Sequence, residues 1–436
     1  MSKNKEVLKN IGLSILYKPI GILISLALVP LTIKYLGNTS YGLWATILSI
    51  ISWINYFDIG IGNGLRNHLA REITVKNYKD SREYIMTAYG SVTFISIIIL
   101  IALTVLFKIF NWNSIFNIDS YTNQELFFIM LVNLVFIVMN FVLKIVATIY
   151  YSLQKSSTVG LIQILNQLFN LIGIYSLYRM EYANSLLGIS VVYGLGMVLS
   201  NIIFTLILFI KNRELVPKFK DFKYDKVKSL SGLGIKFFII QIAAMIIFTT
   251  DNMIITKLLG PEEVTPYNIT FKVFSIIIML HGIIIAPLWS AITKAYAEKD
   301  VEWIKRTLKK LKGVQLFILL LIFGISLNFN TIITVWIGDK FVIPITLIIN
   351  FAVYTFLVTL SNIYATFLNG MGELKLSYWI SIFSALINIP LSIYFVKVFQ
   401  LGTTGVIIAT NICLLIGVIT GFFQEKYYIG GGRKKR

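Results

Sequence analysis

The stretch SILYKPIGILISLALVP, residues 14–30, is apolar apart from one charge, Lys18. A helix rises about 1.5 Å per residue, so roughly 20 apolar residues cross a hydrocarbon layer of about 30 Å. Extended to 11–34, the run is long enough to do so. Similar runs follow near 41–59, 84–107, 124–149, 157–178, 185–210, 231–257, 267–291, 313–336, 343–368, 376–396 and 403–423. They are too long for barrel strands and lack the alternation of period two that such strands carry. The composition agrees. Of 436 residues, 57% are hydrophobic and 14% charged, against about 25% charged in soluble domains. The reading is an all-α polytopic membrane protein with about 12 transmembrane helices. Its basic N-terminus, MSKNKEVLKN, precedes a run too long for a signal peptide and reads as a retained anchor. The single cysteine, Cys413, sets up no disulfide framework.

A net charge of +19 suggests nucleic acid until the charges are placed. Apart from Lys18, Lys144, Lys236 and Lys272 within the runs, the N-terminus, even-numbered loops and C-terminus hold 29 Lys and Arg, and the odd-numbered loops and the helix ends beside them hold 6. By the positive-inside rule both termini are cytoplasmic. The basic stretch KFKDFKYDKVK between spans six and seven then reads as a topology signal in contact with anionic lipid, and no nucleic-acid partner is expected. Between spans eight and nine, Val301, Ile304, Leu308 and Leu311 share a helical face. They predict an interfacial helix lying on the inner leaflet.

TIKYLG at 32–37 is similar to ITKLLG at 255–260, and each is followed by a tyrosine, Tyr41 or Tyr267. Six helices separate the two, so the halves share an orientation and predict parallel repeats. The expected organisation is an N-terminal six-helix bundle over 1–210, a basic linker over 211–230, a C-terminal six-helix bundle over 231–424 and a basic tail over 425–436.

Ionisable groups inside membrane helices mark candidate functional sites. Lys18, Lys144 and Lys236 fall in the cytoplasmic halves of their helices, with Arg66 at or just below that level. No carboxylate matches them at that depth, so together they make a cationic cavity suited to an anion. Each lysine taken alone could snorkel to the headgroups. Asp251 and Lys272 read as a structural ion pair; the alternative makes Asp251 a site for a coupling proton or Na+. His281, near mid-helix, packs through a hydrogen bond or titrates with the state of the cavity. Asp58, beside Gly60, Gly62 and Gly64, is expected to hydrogen-bond where those glycines loosen an inner helix end. Pro30, Pro287 and Pro390 are expected to kink or break their helices. There is no Walker A sequence, no metal-spaced Cys/His set and no nucleophile elbow, so an enzyme is not expected.

VPLTIKYLGNTSYGLWATILSIISWINYFDIGIGNGLRNHLA resembles the opening of bacterial polysaccharide flippases of the O-antigen and capsule type. These belong to the multidrug/oligosaccharidyl-lipid/polysaccharide (MOP) exporter superfamily. The pieces that carry the likeness are LG followed by YGLW, then D-I-G. TDNMIITKLLG with Tyr267, then APLWSAITKAYAEKD, resembles the second half of the same family. The resemblance implies two six-helix bundles in a V shape. It implies translocation of undecaprenyl-diphosphate-linked oligosaccharide by alternating access across the bacterial cytoplasmic membrane, for surface polysaccharide synthesis. It also implies a cationic cavity, a role that falls on Lys18, Lys144, Lys236 and Arg66 by depth. No cofactor is implied beyond Na+ or H+ coupling, for which Asp251, His281 and Asp58 are the candidates. The implied partners are the lipid-linked substrate, membrane lipids, and polymerase and chain-length machinery.

A cation-coupled multidrug exporter of the same superfamily is the rival reading, but organic cations call for an acidic cavity. A polymerase or glycosyltransferase generally needs a large outer loop or a carboxylate-rich site, and the odd-numbered loops here are short.

Overall fold

A computed structural model describes residues 3–54, 61–181, 183, 186–231, 249–285, 288–338, 341–373 and 375–429. Among them the regular structure is helical, and ten helices are long and apolar enough to cross a membrane. Two expected spans, 41–59 and 231–257, run into residues 55–60 and 232–248, which lie outside the described residues. The chain packs as two units, residues 1–241 and 242–436.

The first unit contains α1 (Lys3–Leu36), α2 (Asn38–Ser52), α3 (Ile61–Thr74), α4 (Tyr78–Ile109), α5 (Trp112–Phe116), α6 (Asn123–Leu143), α7 (Ile145–Ser152), α8 (Ser156–Arg179), α9 (Leu186–Lys211) and α10 (Tyr224–Ser231). Local chemistry sets several starts. The Asn77 side chain accepts from the Asp80 amide to cap α4. Thr122 and Glu125 form a capping box that opens α6. Phe94, Ile97, Ile98 and Ile101 are exposed on α4, as a lipid-facing surface requires. Polar residues inside the spans join helices. Asn133 Nδ2 donates to Ser190 Oγ at 2.7 Å, linking α6 to α9. Asn201 Nδ2 donates to Asn140 Oδ1 at 2.9 Å, between the same helices.

Residues 211–230 are not a loose connection; they are strapped to the first unit. Leu215 and Leu230 are buried in one cluster with Leu65, Leu69 and Ile85. Gly64 is the crossing point of α3 and α10, where an added Cβ would meet the Leu230 carbonyl oxygen at 2.1 Å. Close approach, rather than loosening of a helix end, explains this glycine. The Lys226 ammonium bridges Asp80 at 2.7 Å and Glu83 at 2.8 Å. Burial works against that charge, but the two carboxylates outweigh it and hold the ammonium above the ordinary lysine value.

The second unit contains α11 (Asp251–Leu259), α12 (Val264–Ile285), α13 (Leu288–Ala297), α14 (Val301–Leu327), α15 (Phe329–Trp336), α16 (Ile345–Met371), α17 (Lys375–Lys397) and α18 (Gly402–Ile429). The repeat is visible in backbone geometry. α1 ends before Gly37 at φ 80°, and α11 ends before Gly260 at φ 105°. Both are left-handed positions that favour glycine. The tyrosines that follow, Tyr41 and Tyr267, are both buried. α1 runs through Pro30 and α17 through Pro390 as continuous helices. Pro287 lies outside the described residues.

The expected interfacial helix is corrected. Residues 301–312 are the start of the long α14. Ile304, Leu308 and Leu311 bury against Ile363, Phe367 and Leu368 of α16 rather than against lipid. The pattern is amphipathic because one face packs against protein and the other is exposed.

The Gly64 crossing is testable. Gly64→Val should destabilise the detergent-solubilised protein by about 1–3 kcal/mol through overpacking. Gly324→Ala, at a site with open space around the added carbon, should be neutral or stabilising by roughly 1 kcal/mol. Thermal unfolding monitored by size-exclusion fluorescence separates the two.

Candidate functional site

The sequence places cations in the first unit and a buried carboxylate in the second, and each is built differently. Lys144 sits at the joint where α6 passes into α7. Its amide still donates to Asn140 O at 2.8 Å, and its carbonyl accepts from Ala147 N at 2.9 Å, a tighter turn than an α-helix makes. Its ammonium lies 4.3 Å from the centre of the Phe141 ring. Lys144 also lines a small cavity with Ile61 and Leu65 of α3, Ala88 and Val92 of α4, and Thr148. Lys144 thus contributes to the wall of a small, mostly apolar recess, with its ammonium over the Phe141 ring.

Arg66 is exposed on α3, with its guanidinium 4.9 Å from the centre of the Tyr151 ring on α7. Ser152 Oγ donates to the Arg66 carbonyl at 3.3 Å. Tyr151 lies seven residues after Lys144, two helical turns along one face, about 10 Å away in rise. The structure therefore gathers Lys144 and Arg66 around α7. Lys18 is exposed on α1, and no described residue pairs with it by hydrogen bond or ion pair. Its neighbour Tyr17 instead faces Gly160 of α8. Lys236 and Asp58 lie outside the described residues.

Asp251 opens α11 and is 8% exposed. Its Oδ2 accepts from Tyr267 Oη of α12 at 2.5 Å and from Thr410 Oγ1 of α18 at 3.4 Å. Thr410 Oγ1 in turn accepts from Asn388 Nδ2 of α17 at 3.1 Å. Three helices meet at one carboxylate, and α17 joins them through Thr410. Among the described residues, Asp251 Oδ1 and Asn388 Oδ1 are buried with no hydrogen-bond partner. The cluster thus offers oxygen atoms with one formal negative charge, a donor set for a proton or a monovalent hard cation. Among the described residues no group of three or more His, Cys, Asp or Glu gathers as for a divalent metal.

The expected ion pair between Asp251 and Lys272 does not form. Asp251 points at Tyr267, and Lys272 lies five residues later, about 140° around α12. His281 is 2% exposed, and both ring nitrogens lack a hydrogen-bond partner among the described residues. It lies 14 residues beyond Tyr267, about 21 Å along α12, so it is not part of the carboxylate cluster. Thr410 and Asn388 were not singled out by sequence. The available signal was an amide or hydroxyl within an otherwise apolar run.

If Tyr267 is a principal donor to Asp251, Tyr267→Phe should cost about 1–3 kcal/mol of stability. The double variant with Asp251→Asn should cost less than the sum of the single changes. A double-mutant cycle by thermal unfolding reads the coupling.

Comparison with known proteins adds to this geometry. The model of a family described as polysaccharide biosynthesis protein matches residues 7–290. The MatE family model matches residues 237–394. A candidate O-antigen export protein of Yersinia pseudotuberculosis is 22% identical over 92% of this chain and 90% of its own. A candidate O-antigen transporter of Salmonella typhimurium is 26% identical over 94% of each chain. An inward-facing multidrug resistance MATE family transporter of the MOP superfamily aligns at a TM-score of 0.72 and 18% identity, covering 98% of this chain and 96% of that one. A MOP superfamily transporter from Pyrococcus furiosus, described as having a binding pocket of reversed polarity, aligns at a TM-score of 0.59 and 18% identity, covering 98% and 95%.

Proposed function

The chain belongs to the polysaccharide biosynthesis protein family, and from that premise we propose that it is a flippase for undecaprenyl-diphosphate-linked oligosaccharide. In this reading it moves the lipid-linked glycan from the cytoplasmic to the outer leaflet by alternating access, with both termini cytoplasmic. The membrane is the bacterial cytoplasmic membrane, and the product feeds O-antigen or capsule synthesis. Polymerase and chain-length machinery are its proposed partners.

The observation that carries the reading is the placement of Lys144 at the wall of an apolar recess, with Arg66 of α3 against the Tyr151 ring of α7, the helix that begins just after Lys144. A diphosphate must leave water to cross, and desolvation of its charges is the chief barrier. Fixed cations beside low-dielectric walls lower that barrier, and a guanidinium can grip phosphate through two parallel bonds. Lys18 and Lys236 are proposed to extend the same positive lining. The protein supplies binding and passage, and no bond in the substrate is made or broken.

A multidrug exporter is the second reading, favoured by the MatE match and by the buried Asp251 carboxylate. Substitution separates the two. In cells, the double variant Lys18→Gln with Lys144→Gln should lose surface glycan while the protein stays in the membrane at normal level. Normal glycan with heightened sensitivity to organic cations would support the exporter instead.

Coupling to Na+ or H+ is assigned in this proposal to Asp251, with Thr410 and Asn388 completing the oxygen set. His281, far along α12, and Asp58 are the remaining candidates. Removing the charge with Asp251→Asn should slow gradient-driven transport by about tenfold or more, the scale of one lost charge-assisted contact. It should also abolish the response to an imposed Na+ or pH gradient. A variant that keeps the gradient response would remove Asp251 from the coupling role.

A further inference from the structure

Residues 212–230 have no part in the proposed transport step, yet they are fastened to α4 at successive levels. Arg82 contacts Asp221 at 3.7 Å and donates to the Glu214 carbonyl at 3.3 Å. Lys226 is held by Asp80 and Glu83 and lies 4.3 Å from the centre of the Tyr84 ring. The Lys223 amide donates to Thr87 Oγ1 at 3.1 Å. Phe222 lies against Gly90, where an added Cβ would meet its ring at 2.8 Å.

The level of this strap relative to the bilayer follows from the length of α4. The helix has 32 residues, about 48 Å, roughly 18 Å more than the hydrocarbon thickness. The excess lies at its N-terminal end, where Lys79, Asp80, Arg82 and Glu83 are found. The lipid-facing residues begin at Phe94. Thr87 and Gly90 therefore mark the entry into hydrocarbon, and the strap is pinned to them at headgroup level.

What the strap shows outward suits that level. Phe219 is 91% exposed and Tyr224 84% exposed, interleaved with exposed Lys218, Lys220 and Lys223. Asp221, the acid among them, is engaged by Arg82 and by the Lys218 amide. Aromatic rings and ammonium groups are the residues that settle into an anionic headgroup layer. A soluble partner would have to approach through the same layer.

We propose that residues 218–224, clamped against α4, form a binding surface for anionic phospholipid headgroups in the leaflet at the N-terminal end of that helix. The clamp pre-organises the lysines, so little ordering is needed on binding. The surface also fixes this part of the first unit to the bilayer plane.

The test uses the full chain in nanodiscs of mixed phosphatidylglycerol and phosphatidylcholine. Bimane is attached at Phe219→Cys in a Cys413→Ser background. Headgroup-level nitroxide is placed on one lipid or the other at equal mole fraction. Quenching should be at least about twofold stronger from labelled phosphatidylglycerol, as expected for lysines near an anionic surface. The preference should vanish in the triple variant Lys218→Gln, Lys220→Gln, Lys223→Gln, and weaken in Lys226→Gln, which keeps those lysines but releases the clamp. Size-exclusion profiles check that each variant is folded. Lipid co-purified with the unlabelled protein gives a second readout, with phosphatidylglycerol enrichment lost in the triple variant. Equal quenching by both lipids, a preference that survives the triple substitution, or a bimane reached only by aqueous iodide would overturn the proposal.

Discussion

Hydrocarbon offers a polar group nothing to bond to, and that constraint organises this protein. Every amide, hydroxyl or charge placed within a span must find a partner inside the chain or be held where a ligand can supply one. In the first unit the amides of Asn133 and Asn201 answer the constraint by joining α6 to α9. In the second unit the Asp251 carboxylate draws Tyr267 and Thr410 onto one oxygen and leaves the other without a partner among the described residues. The first arrangement joins helices and serves packing. The second is incomplete, and an incomplete polar cluster inside a membrane is where a mobile ion or proton can be taken up and released.

The fold was legible because its signal is long and additive. Run length, hydropathy and the distribution of Lys and Arg each average over many residues, so no single side chain decides them. The repeat could also be read, since a glycine with positive φ after a helix leaves a mark in sequence, LG followed by a tyrosine, at both Gly37 and Gly260. MATE family transporters of known structure share the fold at 18% identity, which shows how little sequence this architecture needs.

Side-chain partners were less legible, for a geometric reason. Asp251 and Lys272 look like a pair in sequence because both are charged and both lie in neighbouring outer segments. A helix turns about 100° per residue, and five residues carry Lys272 away from the face Tyr267 occupies. The 301–312 helix was misread similarly. An amphipathic pattern reports that one face is apolar, but whether Ile304 meets lipid or Phe367 is a tertiary fact. Gly64 shows the same limit, since its reason is the carbonyl of Leu230, more than 160 residues away in the chain. Lys144 was found by depth alone, and the recess beside it needed α3 and α4 in place.

The central claim is that fixed cations in a membrane interior carry a phosphate-bearing lipid between leaflets. The most direct measurement reconstitutes the purified chain in sealed vesicles containing undecaprenyl-diphosphate-linked oligosaccharide in both leaflets. An impermeant glycan-oxidising reagent outside then follows access to the sugar with time. The account predicts that the reactive fraction rises beyond the outer-leaflet share with the protein present, and that it stays at that share with protein-free vesicles or with Lys144 neutralised. A reactive fraction that stops at the outer-leaflet share with active, folded protein, while an organic cation is moved by the same vesicles, would contradict it.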